Sequence, residues 1–182
     1  MKRALLILTL LAAGAVFARR RKALTTEQIN DMLMEHDPRY DLTVRGYRNN
    51  NPLNLRISAE EWKGKIPLSQ NTDRNVKTGK MEFEQFLTMP YGFRANMINM
   101  RTQINRGNNT IEKLVHVWAP ADDGNNPAGY TQRVCKTTGY DKTDIINPAN
   151  AKQMQNIAYA MAIVENGSAP QWDDIQKGWD MI

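Results

Sequence analysis

Between Arg45 and Arg56 the chain reads Arg-Gly-Tyr-Arg-Asn-Asn-Asn-Pro-Leu-Asn-Leu-Arg: four asparagines, three arginines and a proline within twelve residues. Asn side chains compete for backbone hydrogen bonds and proline removes a donor, so the segment is expected to be a shaped polar loop. An amide carries donors and an acceptor on one short arm. Clustered Asn therefore serves either to brace turns locally or to meet hydroxyl- and acetamido-rich ligands such as glycans.

The chain around this loop has 182 residues, 41% of them hydrophobic and 24% charged, which fits one globular domain behind a leader. A net charge of +5 favours anionic surroundings, but Arg19-Arg20-Arg21-Lys22 carries much of it, so no specific nucleic-acid partner is expected. Cys135 is alone, which excludes an intramolecular disulfide and a thiolate metal cluster. His36 and His116 share no ligand-spaced partners, and no phosphate-cradling loop occurs, so neither metal nor cofactor is expected.

Residues 4–18 form an uncharged apolar run behind Lys2-Arg3. As a helix the run would rise about 22 Å, short of the roughly 30 Å hydrocarbon core unless the flanking cations snorkel. Three readings stay open: a retained membrane anchor in a viral internal or bacterial inner membrane; a signal cleaved after Ala18, disfavoured by the four cations that follow; and a membrane-surface or capsid-binding peptide.

Further along, the capping-box character of Thr25-Thr26-Glu27-Gln28 and the helical spacing of Ile29, Met32 and Leu33 predict a short helix over 26–36. Ile66 and Leu68, a polar turn, and then Met81 to Phe86 read as a small antiparallel hairpin with a long loop. Helices are expected over 91–106, from an Asn109/Glu112 cap to Trp118, over 128–138 behind Asn126-Pro127, over 149–166 behind Asn147-Pro148, and over 171–181. The fold class is α+β, mostly α.

The Arg45–Arg56 segment, Trp62-Lys63-Gly64, Met81 to Phe86, Tyr91-Gly92-Phe93-Arg94-Ala95 and Trp118-Ala119-Pro120 stand in that order. In order and spacing they resemble phage and prophage virion proteins with an R-G-I-R-N-N-N-P-G-N-I-R-like opening, W-x-G, an aromatic strand, Y-G-[FI]-R-A and W-A-P. That resemblance, over roughly residues 44–167, implies a lysozyme-like domain and either a structural or a peptidoglycan-degrading role in a virion. Taken with the apolar run and the expected 26–36 helix, it divides the chain into an anchor or signal-like segment (1–22), a linker helix (23–43) and the lysozyme-like domain (44–182). Its implied partners are peptidoglycan and other virion proteins; the apolar run adds a membrane through residues 4–18, so the expected location is a membrane-associated virion or the host cell envelope. The family commonly has Glu before Tyr-Gly and an acidic E-N-[DN]-T after W-A-P; here Pro90 and Asp122-Asp123-Gly124-Asn125-Asn126-Pro127 stand instead.

Glycan-strand cleavage needs a carboxylic acid held protonated by an apolar wall. Glu84 lies among aromatics on the expected hairpin. Glu165 ends an apolar helix in a manner similar to the E-S-G of lytic transglycosylases, at a helix end that disfavours a carboxylate. Asp122 and Asp123 stand where the family carries an acid, and Glu35 precedes the Asn cluster much as the catalytic Glu does in bacterial glucosaminidases. Glu84, Glu165 and Asp123 are the catalytic candidates, and Arg48, Asn49, Asn50, Asn51, Asn54, Trp62 and Tyr91 the expected substrate-binding set. A non-catalytic structural protein on the same scaffold is the rival reading, and an exported envelope protein of prophage origin a third.

Overall fold

The computed structural model describes Thr25, residues 37–75 and residues 77–182. The expectations for the 4–18 run, the 26–36 helix, Glu35 and His36 lie outside the described residues. Among the described residues no helix is long and apolar enough to cross a membrane.

The fold is mostly helical. A single turn, α1 (Arg45–Arg48), is followed by a long irregular segment and then by α2 (Met89–Asn105), α3 (Ile111–Trp118), a 3-10 turn (Ala121–Asp123), α4 (Pro127–Thr138), α5 (Ala151–Asn166) and α6 (Trp172–Asp180). Helix α2 packs against α6, and α4 against both α3 and α5. Phe93, Met97, Met100 and Ile104 recur at helical spacing along α2 and are buried, as are Met154, Ile157, Ala158 and Met161 on α5. Each fully buried large apolar side chain contributes about 1.5–3 kcal/mol, so these two stripes, joined by Leu114 and Ile175, form the core.

Local signals explain the helix ends, with two corrections. Asn126 caps α4 by accepting from the Gly129 N–H, as its sequence predicts, but the cap of α3 is Thr110 rather than Asn109, and that of α5 is Asn150 rather than Asn147. Asn147 instead holds the preceding turn by accepting from the Ala149 N–H at 3.0 Å. Gly167, with φ of 75°, closes α5 in the left-handed conformation. The loop expected over Arg45–Arg56 begins with the helical turn α1 and becomes irregular at Asn49.

The expected hairpin is also corrected. Residues 82–87 pair with two neighbours at once, but only through isolated antiparallel bridges, Arg56 with Phe83 and Lys65 with Phe86. Side chains take the backbone groups that a longer ladder would use. Asp73 accepts from the N–H groups of Glu82 and Phe83, Asn71 donates to the Phe83 carbonyl, and Asn51 donates to the Glu84 carbonyl.

Asp73 holds this segment against α1. Its buried carboxylate receives Arg45 in a two-pronged ion pair, Nε at 2.7 Å and Nη2 at 2.8 Å, and the Asn49 amide at 2.8 Å. Burial alone would raise the Asp73 carboxyl, yet these hydrogen bonds outweigh it and hold the group well below the usual carboxylate range. A depressed folded pKa means the stabilisation is fully present above the ordinary aspartate value of about 4 and disappears as pH falls toward the folded value. We therefore expect Asp73→Asn to lose about 3–5 kcal/mol at neutral pH. In urea titrations from pH 7 to pH 2 its stability should fall less steeply with acid than the wild type's.

Candidate functional site

A cleft of about 520 Å³ opens between the Leu53–Ser58 segment with Trp62 on one side and the end of α3 with residues 119–125 on the other. Its volume lies within the range of small-ligand sites. Trp62, Phe83 and Trp118 give it aromatic surface, and Glu165 reaches it from the last turn of α5. The two walls touch in two places: the Trp118 indole N–H donates to the Leu53 carbonyl at 2.9 Å, and Arg56 pairs with Asp123 at 2.8 Å.

Glu165 is the partly buried carboxyl of this cleft. Burial pushes its pKa above the usual glutamate range, although hydrogen bonds from Asn54 and Tyr130 pull the other way. The Asn54 Nδ2 group donates to Oε2 at 2.8 Å and the Tyr130 hydroxyl donates to Oε1 at 2.9 Å. Asn54 holds that position with φ of 52°, a left-handed conformation that Asn tolerates better than most residues. A carboxyl with a raised pKa between an amide and a phenol, in an aromatic cleft, has the makings of a proton donor.

Of the residues singled out in the sequence, Asn54, Trp62, Asp123 and Glu165 line this cleft together; Arg48, Asn49, Asn50, Asn51, Tyr91 and Glu84 do not. Arg48 donates to the carbonyls of Leu42 and Thr43, and Asn50 to those of Phe86 and Leu87. Asn51 braces its own loop, donating to the Leu55 carbonyl and accepting from the Leu55 N–H, both at 2.9 Å. Tyr91 packs on Gly64, where a Cβ would strike its ring; likewise a Cβ at Gly92 would strike the Asn50 carbonyl oxygen. Asp122 sits exposed in the 3-10 turn.

Glu84, expected on a strand face, is wholly buried and paired with Lys65 at 3.0 Å, and it also accepts from the Ser58 N–H at 2.9 Å. Lys65 in turn donates to the carbonyls of Ser58 and Glu60. This cluster closes the Ile57–Lys65 loop onto the 82–87 segment.

Tyr130 was not legible as a site residue. It lies thirty-five positions before Glu165 on a different helix, and its spacing reads only as the buried face of α4. A second cavity, of about 590 Å³, lies beside Cys135 between α3 and α4; there Glu112 is exposed and paired with Lys142 at 2.9 Å. Among the described residues no cluster of His, Cys, Asp and Glu is arranged to hold a metal ion.

No family model matches the chain. Over 142 residues it is 31% identical to Protein P5 of Pseudoalteromonas phage PM2, covering 75% of this chain and 81% of that protein. The chain belongs to the family of that phage protein. Kinship with Protein P5 gives the chain a phage relative, while the chemistry available in the cleft is set by its own residues.

Glu84→Gln separates the buried pair from the cleft. The substitution leaves Lys65 without its carboxylate partner and is expected to lower stability by about 3 kcal/mol in denaturant titrations. Binding of ligands in the cleft, measured on the folded fraction, should stay within about twofold of wild type.

Proposed function

We propose that this chain is a phage virion protein that cleaves the glycan strand of peptidoglycan, with Glu165 as the general acid in a muramidase or lytic-transglycosylase type of reaction. The observation that carries the proposal is the Glu165 carboxyl, its pKa raised by burial, in a cleft walled by Trp62 and Trp118. In either reaction the acid must be protonated at the start, deliver its proton to the glycosidic oxygen, and leave a carboxylate that can take a proton back. Asn54 and Tyr130 would orient the carboxyl and hold the carboxylate formed when the proton leaves. Asp123, already paired with Arg56 at the rim, is the weaker candidate.

The phage relative supports a virion setting, and the apolar run at residues 4–18 behind Lys2-Arg3 supports attachment to a viral internal membrane or the bacterial inner membrane. Peptidoglycan and neighbouring virion proteins are the partners this reading requires. A location in the host cell envelope would follow if residues 1–18 were instead a processed signal.

Two observations favour the rival reading, a structural virion protein without catalysis. The first is that both oxygens of Glu165 already have donors within the chain. Pro90, standing where the resembling family commonly has Glu, points the same way.

Incubating the purified protein with Gram-negative sacculi and identifying the released muropeptides by mass spectrometry decides between them. Anhydromuramic ends mean lytic transglycosylation, reducing ends mean hydrolysis, and binding without products means the structural role. If the enzyme reading holds, Glu165→Gln should lower the rate by about 10²–10⁴-fold. The wild-type rate should fall as pH rises through the raised Glu165 pKa, placing the alkaline limb above the ordinary glutamate range; a limb unchanged in Glu165→Gln would reject Glu165 as the acid.

A further inference from the structure

Between the buried Asp73 and the half-buried Glu82 the chain carries three cations and no acid: Arg74, Lys77 and Lys80. All three are exposed, and none has a carboxylate at ion-pair distance among the described residues. The acids on either side are already engaged, since Asp73 and Glu82 both pair with Arg45, at 2.7 Å and 3.0 Å. Even counting that trio, which holds one more acid than base, the patch stays positive.

Asn75 shapes the turn that displays these cations. Its carbonyl accepts from the Gly79 N–H and its own N–H donates to the Lys80 carbonyl, both at 2.8 Å, while its side-chain oxygen accepts from the N–H groups of Lys77 and Thr78. The Asn75 amide nitrogen donates to Glu82 at 2.8 Å, which fixes the turn to the Arg45–Asp73 junction. Arg74 donates to the carbonyls of Asn71 and Asp73 and so stays beside the turn. The backbone that carries the charges is ordered before any partner arrives, which lowers the entropy lost on binding.

We propose that Arg74, Lys77 and Lys80 form a second membrane contact, in which this turn rests on an anionic phospholipid surface and holds the domain against the bilayer that residues 4–18 enter. The proposal rests on the membrane attachment read from residues 4–18 and adds which face of the domain meets the bilayer and through which side chains. The headgroup potential decays within a Debye length of about 8–10 Å, so only cations displayed on the domain surface take part. Arg45 opens α1, the first helix among the described residues, so the turn fixed to it lies on the part of the domain from which the chain runs back toward Arg19-Arg20-Arg21-Lys22. Those four cations and the three of the turn are complementary to the same anionic surface. A nucleic acid fits less well: no aromatic residue lies between Asn71 and Lys80 to stack bases, and the turn offers no helix to enter a groove.

The test is amine-acetylation footprinting of the full chain reconstituted with vesicles of phosphatidylcholine alone or mixed with phosphatidylglycerol, the labelling of each lysine being followed by mass spectrometry. Anionic vesicles should slow labelling of Lys77 and Lys80 at least about tenfold relative to neutral ones, and high salt should remove the protection. Lys152, exposed on α5, supplies the reference rate. In Arg74→Gln/Lys80→Gln, both changes at exposed side chains, Lys77 should return to within about threefold of its neutral-vesicle rate. Equal wild-type rates on the two vesicle types overturn the proposal, as does protection by duplex DNA without protection by anionic vesicles. Protection of Lys77 that persists in the double variant overturns the assignment to this group of cations. Flotation reports on the leader alone: a chain that does not float with neutral vesicles overturns attachment through residues 4–18, while protection by anionic vesicles still upholds the turn as a lipid contact and its absence still overturns it.

Discussion

The Asp73 carboxylate is the point on which the non-helical half of the fold depends. Five donors converge on it: two from Arg45, one from Asn49, and the N–H groups of Glu82 and Phe83. The α1 turn, Asp73 and residues 82–83 are thereby fixed to one another without a sheet. With residues 82–87 so held, Leu55 and Phe86 can pack together with Ala95 of α2, and the Leu53–Ser58 wall of the cleft acquires a rigid backing. Burial of a carboxylate is normally unfavourable; here a sufficient number of donors reverses the sign and turns a polar residue into an organising centre.

Much of the helical half was legible because its signals are local. The buried stripes of α2 and α5, the Asn126-Pro127 start of α4 and the glycine that closes α5 each follow from residues a few positions apart. At α5 the Asn147-Pro148 pair suggests a helix start that the chain uses for a turn instead, and Asn150 takes the cap. The hairpin escapes the sequence for a different reason. Alternation in Met81 to Phe86 indicates an extended segment correctly, but whether its backbone groups meet another strand or the side chains of Asn51, Asn71 and Asp73 is a non-local fact.

The site divides along the same line. Composition alone makes the asparagines look like one functional cluster, yet Asn49, Asn50 and Asn51 face inward and brace backbone and buried polar groups, and only Asn54 lines the cleft. The difference lies in the turn itself. Asn50 and Asn54 both take positive φ, at 48° and 52°, and these two left-handed residues reverse the chain so that neighbouring amides point to different partners. A one-dimensional count of Asn cannot see that division of labour, nor the Tyr130 hydroxyl that arrives from α4.

Glu165 is the place where a local rule is broken and the break is compensated. A carboxylate in the last turn of a helix faces the negative end of the macrodipole, and burial adds to the disfavour. Both effects favour the protonated acid, whereas the Asn54 and Tyr130 donors favour the carboxylate. The two sets of effects oppose each other, and burial leaves the net shift upward. Glu84 is the useful contrast within the same molecule: it is wholly buried, but a lysine at 3.0 Å gives it a fixed ionic partner. Of these two glutamates, Glu165 is the one whose partners are neutral and whose side chain reaches the cleft.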